Sequence, residues 1–399
     1  MLRVAIEQAG TGMVLARSVP NPKAPRHILL KAGYQLDEES IDRLRSLHVY
    51  SIWIRYPSLG FLDELLDPEL IQQQQELYAA LKEQFTLNQE ESGAKLDYSQ
   101  YVSRIGNLFQ RILCSDGKAS MLINELQGEA NDLFQHGTTV AFLSLLIGMH
   151  LENYLIQERT HISTHLAVNL TSLGVGALLH DIGKLALPEE LRAFHLTAQD
   201  RGDPIWQSHT EAGFDMIKDH LDPSAAKIAL DHHQHFDGSG FPLRKAPTGF
   251  TEKLFPLQGK EIHIFCRIAT LADRYENFRH LPNDCVAPAV VALRRIHNPG
   301  YMKWFDPVVF NAFIESVPPF APGEQVVLNN NQQVVITELN EKFPYRPIVR
   351  PIDLSLAAFQ ENSNPASVTE DGDIDLSSRI DLQIAQVGNF EMAEYLLQA

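Results

Sequence analysis

Cysteine is scarce in this chain: Cys114, Cys266 and Cys285 are its three, and their spacing is unpaired. That excludes a disulfide framework and a cysteine-type zinc site, and it points to a reducing compartment. Positive charge is also short. Lys and Arg number 33 against 50 Asp and Glu, for a formal net charge of -17, and such a balance disfavours nucleic acid polymers and anionic membranes, which reward a basic face. No run approaches the apolar length expected of a membrane span, and the N-terminal MLRVAIEQAGTGMVLARSV lacks the continuous apolar centre of a secretion signal. Together these absences predict a cytoplasmic protein that does not engage a membrane.

Apolar residues make up 44% of the 399 positions, enough for one large core and one or two smaller units. Residues 1–66 carry short β-like runs (Met13 to Val19, His27 to Leu30, Tyr50 to Arg55) around a helical segment from Asp37 to Leu47. They read as a small α+β unit with a regulatory role. Residues 67–130 are polar and Gln/Glu-rich, with Leu77, Leu81 and Phe85 at helical spacing, and read as a helical linker: a connecting helix, more a solvated spacer than a binding surface, and the start of a bundle. Helical periodicity then runs from 131 to 318. Residues 319–352 read as a small β appendage of two strands around Asn329, Asn330 and Asn331, and residues 353–399 as an acidic, partly disordered tail.

The helical region places polar residues on apolar faces. In ALLHDIGKLALP, His180 and Asp181 stand between two greasy runs, where an imidazole or carboxylate is costly unless it is partnered. His136 precedes Val140, Leu143 and Ile147 at the spacing of a buried helix face. His209 lies in WQSHTEAG, His232 and His233 in ALDHHQHFDGSG, and Asp273 in a helix filled with Ile264, Phe265, Ile268 and Leu271. Imidazoles and carboxylates without cysteine suit divalent Zn, Mn, Fe or Ni, and so many exceed the need of one tetrahedral ion. Two ions are expected, with the two oxygens of Asp181 able to bridge them; a pair about 3.5–4 Å apart activates water for in-line attack at phosphorus. His161 and His165 have i, i+4 spacing but no acidic partner and read as surface residues, and His235 and His263 as bystanders.

This series, with the loop DGSGFP from Asp237 to Pro242, resembles the HD-GYP family, a branch of the HD phosphohydrolase superfamily, over about residues 131–318. The resemblance implies a mainly α fold: an all-helical HD-type metal-binding domain with a small N-terminal α+β unit and a small C-terminal β appendage. It implies two divalent ions, iron or manganese favoured, and hydrolysis of cyclic di-GMP by a metal-bridging hydroxide to the linear dinucleotide or on to GMP. The metal ligands would be His136, His180, Asp181, His209, His232, His233 and Asp273, with Asp132 toward a third ion. Lys184 and Asp181 would act in catalysis, and Lys184, Gly238, Gly240, Phe241 and Arg279 would face the substrate.

The departures carry expectations of their own. The signature tyrosine is Phe241, the usual glutamate after the His pair is Gln234, and Asp132 stands where many members have Glu. The Arg-Pro-Tyr-Arg/Lys segment after the final Asp is absent, the chain reading DRYENFRHLPND from Asp273. The shorter Asp132 predicts at most a weakly held third ion, and the missing basic segment predicts weak substrate affinity. Two alternatives stand: a metal-binding sensor that works through protein signalling partners or a homodimer, and an HD hydrolase of another nucleotide.

Overall fold

The computed structural model describes residues 1–21, 24–47, 49, 51–64, 67–90, 98–115, 133–192, 202–245, 254–281, 286–354 and 372–396. The fold is mainly helical with small β additions. In the N-terminal part, Leu2–Ala5 (β1) pairs antiparallel with Ser51–Ile54 (β4), and Val19–Asn21 (β2) with Ala24–Leu30 (β3). Helix Glu38–Ser46 (α1) starts at a capping box in which Asp37 Oδ1 accepts from Ser40 N at 2.8 Å and Ser40 Oγ accepts from Asp37 N at 3.0 Å. The strand expected from Met13 to Val19 is reduced to bridges, Val14 with Gln35 and Leu15 with Ile54. Most of the pairing along β4 goes instead to β1, whose four residues are too few for their period to be read.

The main core is centred on Leu133–Met149 (α4), in which every residue from Gln135 to Gly148 is buried, as befits a helix apolar all round. It packs against helices Thr171–Leu178 and Ile264–Arg279. Pro68–Glu90 (α2) and Tyr98–Leu113 (α3) are the start of the bundle and correct only the solvated spacer: Leu70, Leu77, Leu81, Tyr101, Ile105 and Leu108 are buried in this same core. The polar outer faces of these helices diluted an apolar stripe that was present all along. Thr164–Ala186 is a second correction. By length and composition these 23 residues could cross a membrane, yet 72% of their apolar window is buried inside the fold.

Helix Ile264–Arg279 is fixed near its start by Arg267, buried between Glu158 and Asp306, with Nη1 2.9 Å from Tyr154 Oη. Asp273 follows further along the same helix.

The C-terminal region corrects the tail. Arg244–Lys245 (β5) pairs antiparallel with Leu254–Phe255 (β6); after them Gln325–Leu328 (β7), Gln333–Glu338 (β8), Ile348–Pro351 (β9), Ile374–Asp375 (β10), Ile384–Val387 (β11) and Phe390–Glu391 (β12) form a six-stranded sheet of order β10-β9-β8-β7-β11-β12. Residues read as a disordered tail thus supply half of its strands, in pieces of two to four residues that are too short to show alternation. Residues 355–371, where most of the expected disorder falls, lie outside the described residues. The N-terminal part docks on this sheet: Val335 enters its core, Gln325 Nε2 donates to Arg3 O at 2.6 Å, and Asp353 N donates to Tyr56 Oη at 2.9 Å across 297 positions of sequence.

Candidate metal centre

Five segments converge on one buried cluster. His136 comes from α4, His180 and Asp181 follow helix Thr171–Leu178, His209 begins helix His209–Ile217, His232 and His233 follow helix Pro223–Asp231, and Asp273 projects from helix Ile264–Arg279. All are buried. Gly183 permits the approach, because a Cβ there would lie 1.9 Å from His209 O; a larger residue would push the HDIGK turn off the helix that begins at His209.

Asp181 Oδ1 lies 3.4 Å from His209 Nε2 and 3.5 Å from His232 Nε2, whereas its Oδ2 lies 3.3 Å from His180 Nε2 and 3.7 Å from His136 Nε2. One carboxylate therefore faces two different pairs of imidazoles. Asp273 Oδ1 adds to the second pair, 3.0 Å from His136 Nε2 and 3.6 Å from His180 Nε2. The potential ligand atoms form two sets, Asp181 with His209, His232 and His233, and Asp181 with His136 and His180, each set within 4.8 Å of mutual reach.

Backbone carbonyls aim the rings. His180 Nδ1 is 2.7 Å from Ala177 O, His209 Nδ1 is 2.6 Å from Trp206 O, and His232 Nδ1 is 3.0 Å from Ala229 O. A ring that donates from Nδ1 keeps the Nε2 lone pair for the cluster, so these contacts assign the tautomer. His180 Nε2, His233 Nε2 and Asp181 Oδ1 are buried without a hydrogen-bond partner. Such atoms are costly unless a ligand engages them, and an all-nitrogen-and-oxygen donor set suits a divalent cation.

The electrostatics agree. Burial alone would raise the Asp181 carboxyl, but the Lys184 ammonium and His180 outweigh it and hold it well below the usual carboxylate range. Burial likewise opposes ionisation of Asp273, and the hydrogen bond with His136 together with the nearby charge of His180 brings it well below the usual range. Burial pushes His232 down to about 4 and also lowers His136 and His233, which leaves these rings in the neutral form that ligates metal. His180 differs: burial lowers it, yet the carboxylates of Asp181 and Asp273 prevail and raise it to about 10. Two buried carboxylates demand positive charge beside them, and a divalent cation can supply it.

Residues 133–277 match the family model described as the HD domain. The helical module is an HD domain. The chain is 29% identical over 185 residues to a cyclic di-GMP phosphodiesterase of Pseudomonas aeruginosa, covering 44% of this chain and 40% of that protein. It is 30% identical over 154 residues to a cyclic di-GMP phosphodiesterase of Thermotoga maritima, 37% of this chain and 38% of the relative. A 3'3'-cGAMP-specific phosphodiesterase of Vibrio cholerae is 36% identical over 103 residues, 25% of this chain and 17% of the relative. The chain thus spans less than half the length of these curated relatives. Among solved structures, the HDG"Y"P protein Bd1817 of Bdellovibrio bacteriovorus aligns with a TM-score of 0.45 at 15% identity, over 78% of this chain and 97% of that one.

Around the HD-domain cluster, the other expected site residues have distinct places. Lys184 sits in a 3-10 stretch, Ile182–Ala186; it is 20% exposed, its ammonium donates to Asp181 Oδ2, and Nζ lies 5.8 Å from the Trp206 ring centre. Gly238 has φ +77°, and a Cβ on Gly240 would lie 2.3 Å from His233 O, so both glycines fold the DGSGFP loop back onto the His pair. Phe241 covers His233 with ring centroids 4.7 Å apart. Gln234 donates from Nε2 to Pro242 O at 2.6 Å and accepts from Leu257 N at 3.0 Å; an ionised Glu could not make the first bond.

Arg279 is a correction. It is buried, with Nη1 3.2 Å from Tyr275 Oη, so its guanidinium belongs to the interior and does not open toward a substrate. Asp132 lies outside the described residues. His161 and His165 are exposed, the His235 ring stacks on Trp304 at 4.1 Å, and His263 caps its helix by accepting from Phe265 N at 3.2 Å.

Three contributors escaped the sequence reading. Trp206 tilts over His209 and His233 at 4.7 and 5.3 Å; Asn277 Nδ2 donates to Asp273 Oδ1 at 2.6 Å; Thr270 Oγ1 donates to His232 O at 2.8 Å. The first two had a signal in their helical spacing, three residues before His209 and four after Asp273.

Proposed function

We propose that this chain is a metal-dependent phosphodiesterase that opens cyclic di-GMP to the linear dinucleotide. The observation that carries this reading is Asp181, one buried carboxylate facing two groups of imidazoles. The named activity of the Pseudomonas and Thermotoga relatives supports the substrate class. The cysteine-free donor set supports two divalent ions, iron or manganese, held by His136, His180, Asp181, His209, His232, His233 and Asp273. When bound, such ions supply a water activated near neutral pH and positive charge for the nonbridging phosphate oxygens.

The chain's own residues do the positioning. Backbone carbonyls hold His180, His209 and His232 in place, so the site needs little reorganisation. Lys184, partly exposed beside the cluster, offers a cation to a phosphate and stabilises charge that develops on it. Trp206 and Phe241 pack on His233 and shield it from water. We place the protein in the cytoplasm, a reading supported by the free thiols of Cys114 and Cys266.

The test is to load the full chain with Mn or Fe, incubate it with cyclic di-GMP and separate the products chromatographically. Slow conversion to the linear dinucleotide is expected, with both metal content and conversion lost in Asp181→Ala. Tight binding with no cleavage would make the protein a sensor. A second substrate belongs in the same assay: the Vibrio relative named for 3'3'-cGAMP is the most identical of the three over its aligned stretch, and faster turnover of that dinucleotide would reassign the substrate.

A further inference from the structure

Helix Pro223–Asp231 has two working faces. Beyond its end, His232 turns into the metal cluster, while Lys227, Leu230 and Asp231 line a separate cavity of about 460 Å3, a volume within the range of small-molecule sites, roughly 300–1,000 Å3. None of the metal-cluster side chains lines it. Phe214 and Lys218 close it from the neighbouring helical segment, and Arg244 and Leu257 from the far side.

Its chemistry is unusual for a structural cleft. Asp231 is completely buried although it lines the cavity; Arg244 donates to its Oδ1, but Oδ2 has no hydrogen-bond partner. A buried carboxylate oxygen without a donor is costly. Lys227 makes no salt bridge among the described residues, and Lys218, paired with Asp215 at 2.6 Å, adds a second ammonium. The cavity therefore combines apolar walls (Phe214, Leu230, Leu257), cations at two lysines, and one acceptor that wants an N–H.

A ligand that meets all three demands is anionic, has a flat apolar body and carries an N–H edge. We propose that this cavity is a second nucleotide site that takes a purine 5'-monophosphate, with its phosphate on Lys218 and Lys227 and the N–H edge of its base on Asp231. Guanine matches better than adenine, because its adjacent ring N–H and exocyclic amine present only donors to the open oxygen, whereas adenine's amine stands beside acceptor ring nitrogens. The inference does not depend on the reaction at the metal cluster.

Calorimetric titration of the full, metal-loaded chain with GMP, AMP and inorganic phosphate tests it, together with cleavage assays on the same samples. GMP should bind at one site that persists in Asp181→Asn, where the metal cluster is disabled, and AMP should bind about tenfold more weakly, the loss of one hydrogen bond's worth of discrimination. Lys227→Ala, a change outside the core, should weaken GMP at least tenfold while leaving cyclic di-GMP cleavage unchanged; Asp231→Asn should erase the preference for GMP over AMP. GMP binding that disappears in Asp181→Asn and ignores Lys227→Ala would assign the ligand to the metal cluster and overturn the proposal. Equal binding of GMP, AMP and phosphate would leave a bare anion site, with the Asp231–Arg244 pair as a simple tether, and would overturn it as well.

Discussion

The HD domain and the β body that joins the two ends of the chain treat buried polarity in opposite ways. Inside the HD domain, Asp181, Asp231, Asp273, Arg267 and five imidazoles of the cluster are buried. In the β body, the interior of β1, β4 and the six-stranded sheet is mostly Leu, Ile and Val, and among the described residues its buried hydroxyls, Ser40, Tyr56 and Thr337, each bond to a backbone oxygen, Ser40 Oγ to Asp37 O at 2.9 Å, Tyr56 Oη to Asp353 O at 3.2 Å and Thr337 Oγ1 to Ile348 O at 3.2 Å. Charge is retained in an interior only where something compensates it. The contrast places most of the buried charge, and with it the candidate chemistry, in the HD domain without reference to any motif.

That contrast can be broken or sharpened by substitution. The largest effect is expected for Arg267→Ala, which leaves buried Asp306 without its cation and Glu158 with only the exposed Lys260: about 3–5 kcal/mol of unfolding free energy should be lost, with metal content falling as the Asp273 helix loosens. Denaturant unfolding and elemental analysis read both quantities, and a fully stable variant would mean that the buried ion network is not a frame. Next comes Lys184→Ala. If its ammonium stabilises charge at the phosphate, kcat should fall by roughly 10²–10³, or about 2.7–4 kcal/mol, while metal content stays; a change confined to KM would restrict Lys184 to ground-state binding.

Gln234→Glu removes the donor to Pro242 O and should cost about 1–3 kcal/mol, detectable in denaturant and as faster proteolysis of the DGSGFP loop. The smallest effect belongs to the β body: Tyr56→Phe deletes the hydroxyl shared with Asp353 and should cost about 0.5–1.5 kcal/mol, with cleavage and metal content unchanged. A loss of cleavage in Tyr56→Phe would show that the β body controls the HD domain and would end the simple division of labour.

The two regions also differed in how far they could be read in advance. His136, His180, Asp181, His209, His232, His233 and Asp273 could be picked out because metal-ligating residue types stood on apolar helical faces, and the structure brings all of them together. Lys184 could be named, but not its pairing with Asp181, since that depends on a 3-10 turn where an α-helical turn was expected. Arg279 was misplaced because it was named as a basic residue near the absent Arg-Pro-Tyr-Arg/Lys segment, and nearness in the chain says nothing of what packs around a side chain. The sheet was half-hidden for another reason: β10, β11 and β12 are two to four residues long and pair across gaps in sequence, so neither period nor local turn chemistry announces them. The α2–α3 pair was half-read: the spacing of Leu77 and Leu81 announced a bundle, while the polar composition around them pointed to a solvated spacer.

The backbone carbonyls that aim the imidazoles have a consequence for the order in which the site assembles. Helices Thr171–Leu178 and Pro223–Asp231 both end within two residues of a cluster histidine, His180 and His232. The end of a helix carries roughly half a negative charge, from the aligned dipoles of its peptide groups. Added to Asp181 and Asp273, these ends leave the cluster negative on balance even beside the Lys184 ammonium and a protonated His180, so it favours cations over phosphates. A phosphodiester approaching before the cations would meet like charge, so the site should load in sequence, metal first and nucleotide second, and nucleotide binding should be undetectable at the cluster in chelated protein and restored by adding the metal back.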